Sequence, residues 1–138
     1  MALLDVNALV ALAWDSHVHH AAIRSWFHTH GAAGWATCPV TESGFVRVSS
    51  NPRALPSALP PATAREVLVA LRRAPGHSFL ADDVSMTDAD VPAVSGHRQV
   101  TDAHLVALAR RHGRTVVTFD SGLAALAGRR DVELLTAL

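Results

Sequence analysis

Four acidic residues stand where an apolar stretch gives way to a new element: Asp5, Glu42, Asp102 and Asp120. Asp5 follows the run Ala2-Leu3-Leu4, and Asp120 follows Thr115-Val116-Val117-Thr118-Phe119. Glu42 comes shortly after Pro39 and Asp102 directly after Thr101, both near expected helix starts. Each acid has an ordinary structural explanation when taken alone. An acid in the first turn of a helix complements the helix dipole, which covers Glu42 and Asp102. An aspartate in a turn or at a helix start bonds nearby backbone, which covers Asp5 and Asp120. Their shared position is the informative feature, because gathered carboxylates repel. Two of them about 4 Å apart cost roughly 4 kcal/mol at an effective dielectric of about 20. A hard divalent cation offsets that cost, and magnesium prefers oxygen ligands and retains waters. Such an ion lowers the pKa of a bound water and stabilises the oxygens of an in-line displacement at phosphorus. Phosphodiester hydrolysis is the chemistry that fits.

What must position these acids is a set of alternating strands and helices. Ala2–Leu4 reads as a buried strand, followed at once by a helix through Asn7-Ala8-Leu9-Val10-Ala11-Leu12. Residues 17–27 place Val18, Ala22, Ile23, Trp26 and Phe27 at helical spacing, and Gly31 and Gly34 end the stretch. Residues 35–38 form a second strand, and Pro39 suits the first turn of the helix that carries Glu42, Phe45, Val46 and Arg47. The four prolines of residues 51–61 make a loop, and Ala64, Val67, Leu68 and Leu71 mark a further helix. Residues 79–81 are a short strand candidate; residues 84–99 carry no clear pattern. Thr101 is the expected N-cap of a helix over 102–112 closed by Gly113, before the apolar strand 115–119 and a weaker one over 132–135. This alternation predicts α/β architecture: a mainly parallel sheet between helical layers, with residues 1–138 as one domain. In such sheets the functional crevice lies beyond the carboxyl ends of the strands, where the four acids fall.

Composition narrows the function. The 12 basic residues balance 12 acidic ones, and all 12 are arginine. Without lysine there is no P-loop phosphate site and no Schiff-base chemistry. Without a basic excess, nucleic acid cannot be held by a broad positive field, so contacts must be local. No apolar run is long enough to span a bilayer and no signal peptide is evident. Cys38 is the only cysteine, so no intrachain disulfide forms and a reducing cytoplasm is the expected compartment.

The ordered set Leu4-Asp5-Val6-Asn7, Thr41-Glu42-Ser43-Gly44-Phe45-Val46-Arg47, Thr101-Asp102-Ala103 and Thr118-Phe119-Asp120 resembles the PIN-domain family. It is most similar to the ribonuclease toxins of VapBC-type toxin–antitoxin pairs. The resemblance implies an α/β/α sandwich and a magnesium-dependent endoribonuclease acting on structured cellular RNA, with Mn2+ able to substitute. It also implies a homodimer, inhibited by a small antitoxin encoded alongside. Matched residue by residue, Asp5 and Asp102 hold the metal, and Glu42 and Asp120 complete the catalytic set. Asn7, Thr118 and Ser121 are supporting polar groups, and Arg47 faces RNA phosphate or the antitoxin. Asp83 is given a structural role. The alternative is a catalytically inactive PIN-like module that binds RNA or a partner, but all four acids are present.

Rival sites are weaker. Asp15-Ser16-His17-Val18-His19 matches the D-x-H-x-H start of amidohydrolase zinc sites, which need a barrel of about 250 residues. The histidines here read as the polar face of the 17–27 helix, opposite Val18, Ala22 and Trp26. Arg110, Arg111 and Arg114 read as cations favoured at a helix C-terminus rather than as an RNA contact. Trp14, Trp26 and Trp35 read as core or dimer surface. No G-x-S-x-G elbow is present for a serine hydrolase.

Overall fold

Leu3 and Leu4 are neighbours in sequence and fully buried on opposite sides of one sheet, which explains the unbroken apolar run. The computed structural model describes residues 1–137. Strands β1 (Ala2–Leu4), β2 (Trp35–Thr37), β3 (His77–Phe79), β4 (Thr115–Thr118) and β5 (Val132–Leu134) form a parallel sheet in the order β3-β2-β1-β4-β5. The helices are α1 (Val6–Ala13), α2 (His20–His30), α3 (Pro39–Ser49), α4 (Pro61–Arg72), α5 (Val100–Arg111) and the single turn α6 (Ser121–Ala124). One face of the sheet packs Leu4, Trp35 and Val117 against Leu9, Ile23, Trp26, Phe45 and Leu68 of α1 to α4. The other face packs Leu3, Ala36 and Val116 against Leu105, Val106 and Leu108 of α5 and Leu123 of α6. The expected α/β/α sandwich is the observed fold.

Several boundaries move, each for a local reason. Helix α2 runs over 20–30 rather than 17–27. His17 Nδ1 accepts from the His19 N–H at 3.0 Å, holding a turn that leaves Val18 79% exposed instead of on the apolar face. His28 and His30 do form the polar end of that helix. Strand β3 lies over 77–79 rather than 79–81, because Gly76 adopts φ +88° and pairing with β2 starts at once after it. Backbone pairing sets this edge strand, and its polar His77 and Ser78 hide it from an apolar pattern.

Helix α5 begins at Val100, two residues before Asp102 and without Thr101 as its cap. A 3-10 turn over His97–Gln99 leads straight into it, and Gln99 is the N-cap residue. Helix α6 was not anticipated. Asp120 caps it by accepting from the Gly122 and Leu123 N–H groups at 2.7 and 3.4 Å. Gly44 lets α3 approach α1 closely: a Cβ there would sit 2.4 Å from Val6 Cγ2. That contact anchors the helix bearing Glu42 against the helix that starts at Asp5.

Candidate active site

The parallel strands end at one edge, and there the chain turns back into helices through acidic residues. Asp5 is the N-cap of α1, its Oδ1 accepting from the Ala8 N–H at 2.8 Å. Its Oδ2 accepts from the Thr118 hydroxyl at the end of β4, and Thr118 Oγ1 in turn accepts from the Asp120 N–H at 2.9 Å. Asp5 and Asp120 are thus joined through a buried threonine.

Asp5 is 6% exposed. Its carboxyl is raised to about 6, by burial first and also by the charges of Asp102 and Asp120, against the pull of the Thr118 and Ala8 hydrogen bonds. Asp102 is raised too, by burial first and then by Asp120. The charge of Asp120 acts on both Asp5 and Asp102, and that of Asp102 acts on Asp5, so acids from three elements face one edge of the sheet.

Glu42 lies in the first turn of α3 and has a different environment. Its Oε2 accepts from the Thr37 hydroxyl at 2.6 Å and lies 3.4 Å from Arg72 Nη1 on α4. The same Thr37 oxygen is 2.8 Å from His77 Nε2. With the Thr37 proton committed to Glu42, His77 must donate its own. Its imidazole is kept below the ordinary histidine range by burial and by Arg72. Glu42 is therefore held in a network of Thr37, His77 and Arg72. Sequence reasoning missed Arg72 and His77; both sit on elements whose ends carried no motif.

The remaining candidates separate. Asn7 and Ser121 are exposed at the starts of α1 and α6, and Arg47 is exposed in the last turn of α3. Asp83 Oδ1 lies 3.0 Å from His112 Nε2, tying the segment after β3 to the end of α5. Arg110 and Arg111 are paired with Asp131 and Asp88 at 3.0 and 2.8 Å, as cations packed at a helix end. Trp35 is fully buried, Trp26 is nearly so, and Trp14 donates to Ser49 at 3.1 Å. His19 stacks on Phe119 with ring centroids 4.2 Å apart. A larger hollow of about 860 Å³ lies at the other edge, lined by Met1, Gly34, Thr115 and Val132 at strand beginnings, and holds none of the four acids.

The donor set fits a hard divalent cation. Every candidate ligand is a carboxylate oxygen, and a cation would relieve both the burial that raises Asp5 and Asp102 and the added repulsion of Asp120. Among the described residues no three acidic, histidine or cysteine side chains are drawn close enough to enclose an ion.

The PIN domain model matches residues 2–129, and the chain belongs to that family. It is 67% identical over 141 residues to Ribonuclease VapC38 of Mycobacterium tuberculosis, covering 100% of both chains. It is 50% identical over 137 residues to Ribonuclease VapC39 of the same species, covering 97% of this chain and 99% of that one. Its activity is that of a VapC-type endoribonuclease. Two solved structures share the fold. One is the Mycobacterium tuberculosis VapC20, a sarcin-ricin loop cleaving toxin, with a TM-score of 0.63 and 13% identity over 91% of this chain and 94% of that one. The other is VapBC2 from Rickettsia felis bound to a promoter DNA fragment, with a TM-score of 0.60 and 9% identity over 98% of each chain.

Proposed function

We propose that this chain is the magnesium-dependent toxin of a toxin–antitoxin pair, cutting structured cellular RNA in the cytoplasm as a single catalytic domain. The observation that carries the site is Asp5, a nearly buried carboxylate with two further acids acting on it. Asp5 and Asp102 hold the ion, with manganese able to replace magnesium. When bound, the ion offsets charge on the scissile phosphate and acidifies water.

The protein's own groups do the positioning. Thr118 donates to Asp5 and fixes its carboxyl plane, while the Ala8 N–H fixes the other oxygen. Asp120, exposed beside them at the start of α6, is placed to orient the attacking water as its proton leaves. Glu42, steadied by Thr37, completes the acidic edge once Arg72 is drawn to RNA phosphate. Self-association and inhibition by a small antitoxin that puts a basic side chain against the acids complete the proposal. Among the described residues no helix is long and apolar enough to cross a membrane.

Purified protein incubated with total bacterial RNA and magnesium should produce discrete new 5′ ends within folded RNA. EDTA should remove them and manganese restore them. Cleavage that continues unchanged in EDTA contradicts the proposal.

A further inference from the structure

Phe79 closes β3 at the same edge of the sheet as the acids, two strands from β1, and its ring is 48% exposed. Arg72 lies over this ring, its guanidinium carbon 5.1 Å from the centroid, while its Nη1 reaches Glu42 Oε2 at 3.4 Å. The guanidinium is itself exposed. Together with Glu42, Arg65, Glu66, Leu68 and Val69, Arg72 lines a hollow of about 450 Å³.

We propose that Arg72 and Phe79 form a nucleotide subsite flanking the catalytic acids, with an RNA phosphate on Arg72 and a base stacked on Phe79. The inference rests on the ribonuclease reading above. A chain of zero net charge must hold RNA through local arginines. Arg72 is the cation already bound to one of the site acids, and a phosphate replaces Glu42 as its partner in the same charge-assisted geometry. Stacking on an aromatic ring tolerates any base, and Phe79 is half exposed next to a cation. The pairing also explains how a substrate could free Glu42: the arginine that neutralises it is the one the phosphate takes.

The test uses the full chain in EDTA, where binding is read without cleavage. The probes are a fluorescein-labelled eight-nucleotide oligouridylate and an abasic strand of the same length. Phe79→Ala should weaken oligouridylate binding at least about fivefold and leave the abasic strand unchanged, while Phe79→Trp retains wild-type affinity. Arg72→Gln should weaken both strands and lower the salt-dependence slope by about one ion. Equal oligouridylate affinity for wild type and Phe79→Ala, including no binding by either, overturns the subsite. So does a Phe79→Ala protein that keeps RNA affinity but loses self-association by light scattering, which assigns the ring to a protein interface. The two readings fail separately. Magnesium-dependent cleavage without Phe79-dependent binding sinks only the subsite, and Phe79-dependent binding without cleavage sinks only the catalytic assignment.

Discussion

Asp5→Asn lowers RNA cleavage by at least about a hundredfold while the chain stays folded. The substitution keeps the local architecture. Asparagine caps helices as well as aspartate does, so its oxygen still accepts from the Ala8 N–H. Its amide can donate to Thr118 Oγ1, a hydroxyl able to accept. What disappears is the charge that holds a cation. Asp102→Asn has the same effect on cleavage for the same reason. Rates on total RNA in magnesium, with circular dichroism on the same samples, check both halves. A variant that cuts at the wild-type rate removes that residue from the site.

Without metal, the same Asp5→Asn protein is more stable than wild type near neutral pH, and the gap closes in acid. The sign follows from the carboxyl of Asp5, which titrates at about 6 when folded and at about 4 in an unfolded chain. Between those values the folded protein holds a proton that the unfolded chain has released. Stability therefore falls as pH rises through that window. A shift of about two units corresponds to roughly 3 kcal/mol, an order-of-magnitude figure for a carboxyl that solvent scarcely screens. Thermal melts in EDTA should place the variant on the order of 10 °C above wild type at pH 7.5 and level with it near pH 4. Magnesium reverses the order, because it binds the folded wild-type site and scarcely binds the unfolded chain. A constant gap across pH would mean that the Asp5 carboxyl is not raised in the folded protein.

How far the sequence disclosed this site depends on the kind of signal each residue leaves. Asp5 and Asp120 were legible because a buried parallel strand must end in a polar turn, and Leu4 and Thr118 mark those ends. The order of the strands was not legible: β1 lies between β2 and β4, and nothing local to Ala2–Leu4 encodes its two neighbours. Thr101 looked like a cap because threonine before an acidic first turn is a good local rule. The 3-10 turn over His97–Gln99 overrode it from outside the window. Asp120 reads from sequence as either a turn residue or a site residue, and in the fold it takes the first of these as the cap of α6. One carboxylate caps α6 and also raises Asp5 and Asp102. Glu42 was read from its motif as an equal member of the acid set. Its ion pair with Arg72 depends on α4 packing beside α3, a contact 30 residues away that no spacing rule reaches.

We propose that Asp5 and Asp102 together bind a divalent cation in the folded protein. Manganese uptake by metal-stripped protein, followed through the electron paramagnetic resonance signal of the free ion, measures this directly and without any RNA. Wild type should deplete the free-ion signal, and magnesium should compete the manganese off. Asp5→Asn and Asp102→Asn should each weaken uptake by at least about tenfold. Equal manganese uptake by wild type and both folded variants would mean that Asp5 and Asp102 hold no ion.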